Sequence, residues 1–223
     1  SSDYISQLRR AMYVQDTRHQ FHSKAHFDNC HFVGSTEYLD ELWNEVGLLV
    51  SEAIKAKSSG DEDDVKISVR KAFFKLGQIL HAVQDFYAHS NYVELSTMTA
   101  KNVLEIPIVR PWRIEERDEL GKLIATGLVS GTVFWGFPKN CEKGVLSHGK
   151  LAKDTPRTVA GSKRIGKFEN MTQHRIALVL AREASFELMT DAFNEWPLLK
   201  TINGPYVGFE VMIDRRKVDA SVE

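Results

Sequence analysis

The nine residues between Lys75 and Asp85 contain no Lys, Arg, Asp or Glu, and after Asp85 none follows until Glu94. The apolar residues here, Phe73, Leu76, Leu80, Val83 and Tyr87, recur at the 3-and-4 spacing of one helical stripe. The spacing predicts a helix over 65–95. A helix with one wet face carries charges on it, as Arg70, Lys71 and Lys75 do earlier in the same segment. The later turns instead place His81, Asp85 and His89 nearly opposite the Leu76/Leu80/Val83 stripe, flanked by Phe74, Phe86, Tyr87 and Tyr92. Such a helix is buried on both sides. Its ionisable groups must be paired or must coordinate a metal.

Residues at i, i+4 and i+8 climb a helix at about 6 Å per step and drift about 40° around it. His81 and His89 are thus about 12 Å apart along the axis, too far for one ion held at about 2 Å from each nitrogen. Two ions about 3.5–4 Å apart fit the spacing, with Asp85 offering one oxygen to each. His81 then serves one ion and His89 the other. Further donors must come from elsewhere: Asp16, the stretch AHFDNCHF with His26, Asp28 and His31, His148 in SHGKLAKD with Asp154 close by, and His174.

The rest of the chain reads as all-α. A short helix is expected over 4–13, and 14–34 fit neither periodicity. A helix over 36–57 carries Leu39, Leu42, Trp43, Val46, Leu49, Val50 and Ile54 on one stripe. Ser58–Ser59–Gly60 and the acidic run 61–64 form a loop in which Asp61 or Asp64 caps the next helix. Residues 96–168 read as a loop-rich insertion, with a short strand pair expected in GLVSGTVFWGFP. A last helix is expected over 171–196, stopped by Pro197, followed by a tail with a short strand. The aromatics Trp112, Phe134, Trp135 and Phe137 form either a local core under the insertion or a surface that stacks a base or touches a membrane.

The 223 residues suit one domain over 1–223, and 29 basic against 30 acidic residues give no footprint of a nucleic-acid binder. No apolar run approaches the roughly 18 residues that span a bilayer, and no signal peptide is visible. Two cysteines, Cys30 and Cys141, are either one bridge or two buried thiols.

HFDN followed by LHAVQDFYAHSNYVEL resembles the HET-C family of heterokaryon-incompatibility proteins, together with a similar module in some von Willebrand A-domain proteins. LVSGTVF, SHGKLAKDTP and QHRIALVLAREAS are similar to its later motifs. HET-C domains are in turn distantly similar to zinc-dependent phospholipase C and single-strand nucleases, all-helical enzymes with a three-zinc cluster. The resemblance implies a first ion at Asp16, His26, His81 and Asp85, with Asp85 bridging, and a second at His89 and His174. It implies zinc, two or three ions, with manganese or another divalent ion also allowed by the donor types. Where the superfamily has a carboxylate four residues past the last histidine this chain has Leu178, with Glu94 as the substitute. Ser2 stands where the relatives carry the early histidine of a third site. The resemblance also implies a secreted or extracytoplasmic protein linked to cell death or toxicity.

Two functions follow as expectations. One is a metal-dependent phosphoesterase acting on a phospholipid or a nucleotide, with Asp16 as general base and peripheral membrane contact. The other is a non-catalytic module that metal ions hold together. A metal-free bundle, with the His/Asp strip as a hydrogen-bond cluster, is the third reading.

Overall fold

The computed structural model describes residues 2–201, and the strand expected in the tail lies outside them. The architecture is a helical bundle in which α3 (Glu62–His89) packs against α1 (Ser2–Arg18), α2 (Phe32–Ser59) and α7 (Gln173–Glu195). Three partners around one helix explain its composition. From Leu76 to His89 only Gln84 and Ala88 are less than fully buried. Its apolar side meets the core through Phe73, Leu76, Ile79, Val83 and Phe86.

Local sequence sets the ends of the long helices. Gly60 ends α2 in the left-handed conformation that glycine adopts without steric cost. The Asp61 side chain then accepts a hydrogen bond from Asp64 N–H and caps α3. The Thr172 hydroxyl caps α7 by accepting from Arg175 N–H at 3.2 Å.

Element boundaries differ from the sequence reading in several places, and α2 begins at Phe32, a turn before the expected residue 36. α1 continues past Tyr13 to Arg18, because the polar residue that interrupts its apolar pattern, Gln15, is buried and bonded to Tyr38 Oη and Ala25 O. The helix expected over 65–95 breaks at Ser90 and resumes as α4 (Tyr92–Thr99). Ser90 takes extended backbone angles and pairs with Ser130, and Lys153 Nζ donates to its carbonyl at 2.8 Å. Pro197 ends α7 and also begins a short helix, α8 (Pro197–Thr201), where a missing N–H costs nothing.

The insertion holds α5 (Arg117–Ala125) and α6 (His148–Leu151). Its strand pair is not in GLVSGTVFWGFP; it joins β1 (Arg164–Ile165) to β2 (Met171–Thr172), and 127–138 make only isolated bridges. Cys30 and Cys141 form a disulfide that ties the insertion to the segment before α2. No helix among the described residues is long and apolar enough to cross a membrane.

Candidate metal centre

Two groups of potential ligands lie at the C-terminal half of α3. Asp16, His26 and His81 each offer an atom within 4.8 Å of the others, as do Asp28, His89 and His148. Asp85 stands between the groups. Its Oδ2 is 2.8 Å from His26 Nδ1 and 3.1 Å from His81 Nε2, and its Oδ1 is 3.9 Å from His89 Nδ1. His81 Nε2 is also 3.3 Å from His26 Nδ1 and 3.3 Å from Asp16 Oδ1. Donors held about 2.05 Å from a tetrahedral ion are about 3.4 Å apart, close to the 3.3 Å that separates His81 Nε2 from both His26 Nδ1 and Asp16 Oδ1.

Several segments deliver these side chains. Asp16 rides on α1, and the approach of α1 to α3 is fixed at Gly77, where an added Cβ would meet Ala11 Cβ and Leu8 O at 2.7 Å. His26 and Asp28 come from a tight coil in which Phe27, Asn29 and Cys30 all have positive φ near 55°. Such angles cost energy for residues with side chains and persist only where surroundings enforce them. Here the buried Asn29 does so: its Nδ2 donates to Ser23 Oγ and Gly136 O, and its Oδ1 accepts from Val133 N–H. His148 is placed by the insertion, where His148 N–H donates to Thr132 O and Gly131 packs directly beneath it.

The electrostatics favour charge at this spot. Burial works against the charged form of His81, but Asp85 and Asp16 outweigh it and push its pKa up to about 10. Burial likewise opposes the ionised form of Asp85, yet His81, His89 and His26 hold its carboxyl far below the usual range. His89 is raised against the burial penalty by Asp85 and Asp154.

The donor set fits a divalent cation on one further observation. His89 Nδ1 is buried and has no hydrogen-bond partner among the described residues, while His89 Nε2 faces Asp154 Oδ1 at 2.9 Å. A carboxylate on one ring nitrogen that leaves the other bare is the arrangement of metal-ligating histidines.

His174 lines the same cavity but belongs to neither group; its Nδ1–H donates to Lys153 O at 2.7 Å. Glu94 is engaged by the buried Lys153, whose Nζ lies 3.2 Å from its Oε2. Burial lowers the Lys153 pKa, partly offset by Glu94. His31, at the start of α2, packs its ring over Gly34 and is in neither group. The residues that sequence reasoning left unassigned are Asp28 and His148. They meet at 2.8 Å across 120 positions, and only the clustering of histidines and aspartates in their two stretches marked them.

A cavity of about 750 Å³ opens on the centre. Asp16, His81, Asp85, His89 and Asp154 line it on the polar side, Leu8, Met12 and Phe186 on the apolar side, and Arg9 and Arg175 bring positive charge, while Arg182 pairs with Glu183 of the same lining at 3.7 Å. Trp112 is buried and donates from Nε1 to Asp191, so it belongs to the core, whereas Phe134, Trp135 and Phe137 are exposed.

No curated protein and no solved structure matches the chain. A family model does match, that of the VWA7 N-terminal domain, over residues 3–119. This corrects the expected membership in HET-C and the likeness to zinc phospholipase C and single-strand nucleases drawn through it. HFDN and HAVQDFYAHSNYVEL, the residues that carried that resemblance, fall inside the matched span. The resemblance therefore no longer supports the expected links to incompatibility, cell death and toxicity. The chain belongs to the VWA7 N-terminal domain family.

Proposed function

We propose that this domain is a metal-dependent phosphodiester hydrolase with two divalent ions, zinc by preference, bridged by Asp85. One observation carries the reading: the two oxygens of a single buried carboxylate face two separate ligand groups, Oδ2 toward His26 and His81 and Oδ1 toward His89. Asp16, His26 and His81 would hold one ion, and Asp28, His89 and His148 the other. The mixed nitrogen and carboxylate donors suit zinc, with manganese as the nearest alternative. Bound in such a pair, divalent ions lower the pKa of a water to about 7 and neutralise a phosphoryl oxygen.

The protein's own groups supply the rest. Arg9 and Arg175 line the cavity and attract a phosphodiester. Asp16, whose side chain is exposed at the cavity, would accept the proton of the attacking water on the oxygen that does not hold the ion. The water oxygen bonds to phosphorus, one P–O ester bond breaks, and the leaving oxygen takes up the proton that Asp16 accepted and departs as an alcohol. The Cys30–Cys141 bridge supports an extracytoplasmic location, since oxidising compartments keep such bonds.

The ligand groups also join α1, the 26–28 coil, α3 and the insertion, which supports a second reading in which the ions only staple these segments. The two part company in an assay of bis-p-nitrophenyl phosphate with metal-loaded protein. Turnover by the wild type that Asp85→Asn abolishes supports the hydrolase. Metal-dependent melting without turnover, on this ester and on nucleotide and phospholipid substrates alike, assigns the staple instead.

A further inference from the structure

The aromatic tip of the insertion is the largest feature that the metal centre leaves unused. Phe134 is 87% exposed, Phe137 66% and Trp135 50%, and Phe21 beside them is 56% exposed. These rings form one patch on two segments. Trp135 Nε1–H donates to Gln20 O at 3.2 Å, Ser23 N–H donates to Phe137 O at 3.4 Å, and His22 pairs with Phe137. The loop is held from beneath: Asn29 Nδ2 donates to Gly136 O at 2.8 Å, and a Cβ on Gly136 would lie 2.4 Å from Val133 Cγ2. The rings are therefore presented by a fixed scaffold. A concentrated, exposed apolar patch on a soluble chain marks a contact surface.

The charge around the rings narrows the partner. Lys139 Nζ lies 5.3 Å from the Phe137 ring centre and 5.7 Å from that of Phe134. Across 134–150 there are three exposed lysines, Lys139, Lys143 and Lys150, against one exposed carboxylate, Glu142, an excess of two positive charges. Leu146 adds further exposed apolar surface in the same segment. Phenylalanine rings have no polar atom with which to read a base edge. Rings of this kind edged by ammonium groups match the boundary of an anionic bilayer, where acyl chains meet phosphates and carboxylates.

We propose that this patch docks the domain on the surface of a membrane containing anionic lipid, with Phe134, Trp135 and Phe137 inserted among the headgroups. The patch rests on Ser23, three residues before His26 of the first candidate ligand group. The proposal does not depend on catalysis.

The test is co-sedimentation of the whole chain with phosphatidylcholine vesicles, with and without phosphatidylserine, alongside quenching of tryptophan fluorescence by lipids brominated on the acyl chain. Binding is expected with phosphatidylserine, weakened by salt, and falling roughly tenfold for each of Phe134→Ala and Phe137→Ala. Both residues are exposed, and an unchanged circular dichroism spectrum shows that the variants remain folded. Brominated lipid should quench the wild type and lose most of its effect on Trp135→Phe. The proposal is overturned by failure to bind either vesicle, or by binding that the double Phe variant retains. It is overturned equally if that variant instead abolishes self-association of a chain that ignores vesicles.

Discussion

Asp154 Oδ1 lies 2.9 Å from His89 Nε2, and that contact decides which nitrogen of the ring carries the proton. With Nε2–H donating to the carboxylate, Nδ1 is the nitrogen that can give up its proton and ligate a metal on the Asp85 side. The His89 hydrogen bond is also the first cause of the depressed pKa of Asp154. Asp154→Asn keeps the shape and removes the charge. It should weaken one of two ions by ten- to a hundredfold and leave the other unchanged, as read by competition with a chromophoric zinc chelator. Equal weakening of both ions, or none, would remove Asp154 from this role.

The raised pKa of His81 gives a pH dependence with a definite sign. Its folded value, about 10, exceeds its ordinary 6.5. In metal-free protein its charge therefore stabilises the fold fully below about pH 6.5 and progressively less as pH rises toward 10. Asp85 works the other way, its contribution being lost as pH falls below its ordinary value of 3.8. Metal must displace the His81 proton, so affinity for metal should rise over the range in which metal-free stability falls. Thermal melts from pH 6 to about 9.5, with and without chelator, should diverge. Parallel curves would mean that His81 is not a ligand.

Helix α1 carries Asp16 to the centre only because Gly77 lets it approach. A methyl at Gly77 would press on Ala11 and the Leu8 carbonyl. Gly77→Ala should cost about 1–3 kcal/mol in chemical denaturation, and it should weaken the ion held by Asp16 more than the ion held by Asp28. A neutral substitution would show that the helices slide apart freely.

How much of this was legible beforehand depended on how local the cause was. The pattern 73–87 gave α3, its burial on both sides and the strip of His81, Asp85 and His89, because helical periodicity and missing charges are local. His26 and Asp16 were nameable as donor types. The pairing of Asp28 with His148 was not, because it rests on contacts between 29, 131 and 148 that no periodicity encodes. The break at Ser90 was hidden for the same reason: its extended backbone is held by Ser130 and Lys153. Family membership misled because the resemblance rested on short stretches, HFDN and HAVQDFYAHSNYVEL, whereas the family model matches a span of residues 3–119.

The Cys30–Cys141 disulfide closes a loop of 111 residues and pins the His148 segment against the coil that carries Asp28. Replacing both cysteines with alanine should lower stability by roughly 3–5 kcal/mol and loosen the Asp28/His89/His148 group first. Denaturation and metal titration on the same variant measure both effects. An unchanged second group would mean that the loop holds itself.

The most direct measurement is the metal content of the purified chain by elemental mass spectrometry, before and after loading, for wild type and Asp85→Ala. The account predicts two divalent ions per chain in the wild type and at most one, loosely held, in the variant. A wild type that takes up no ion, or a variant that keeps both, would contradict the claim that Asp85 joins two metal sites.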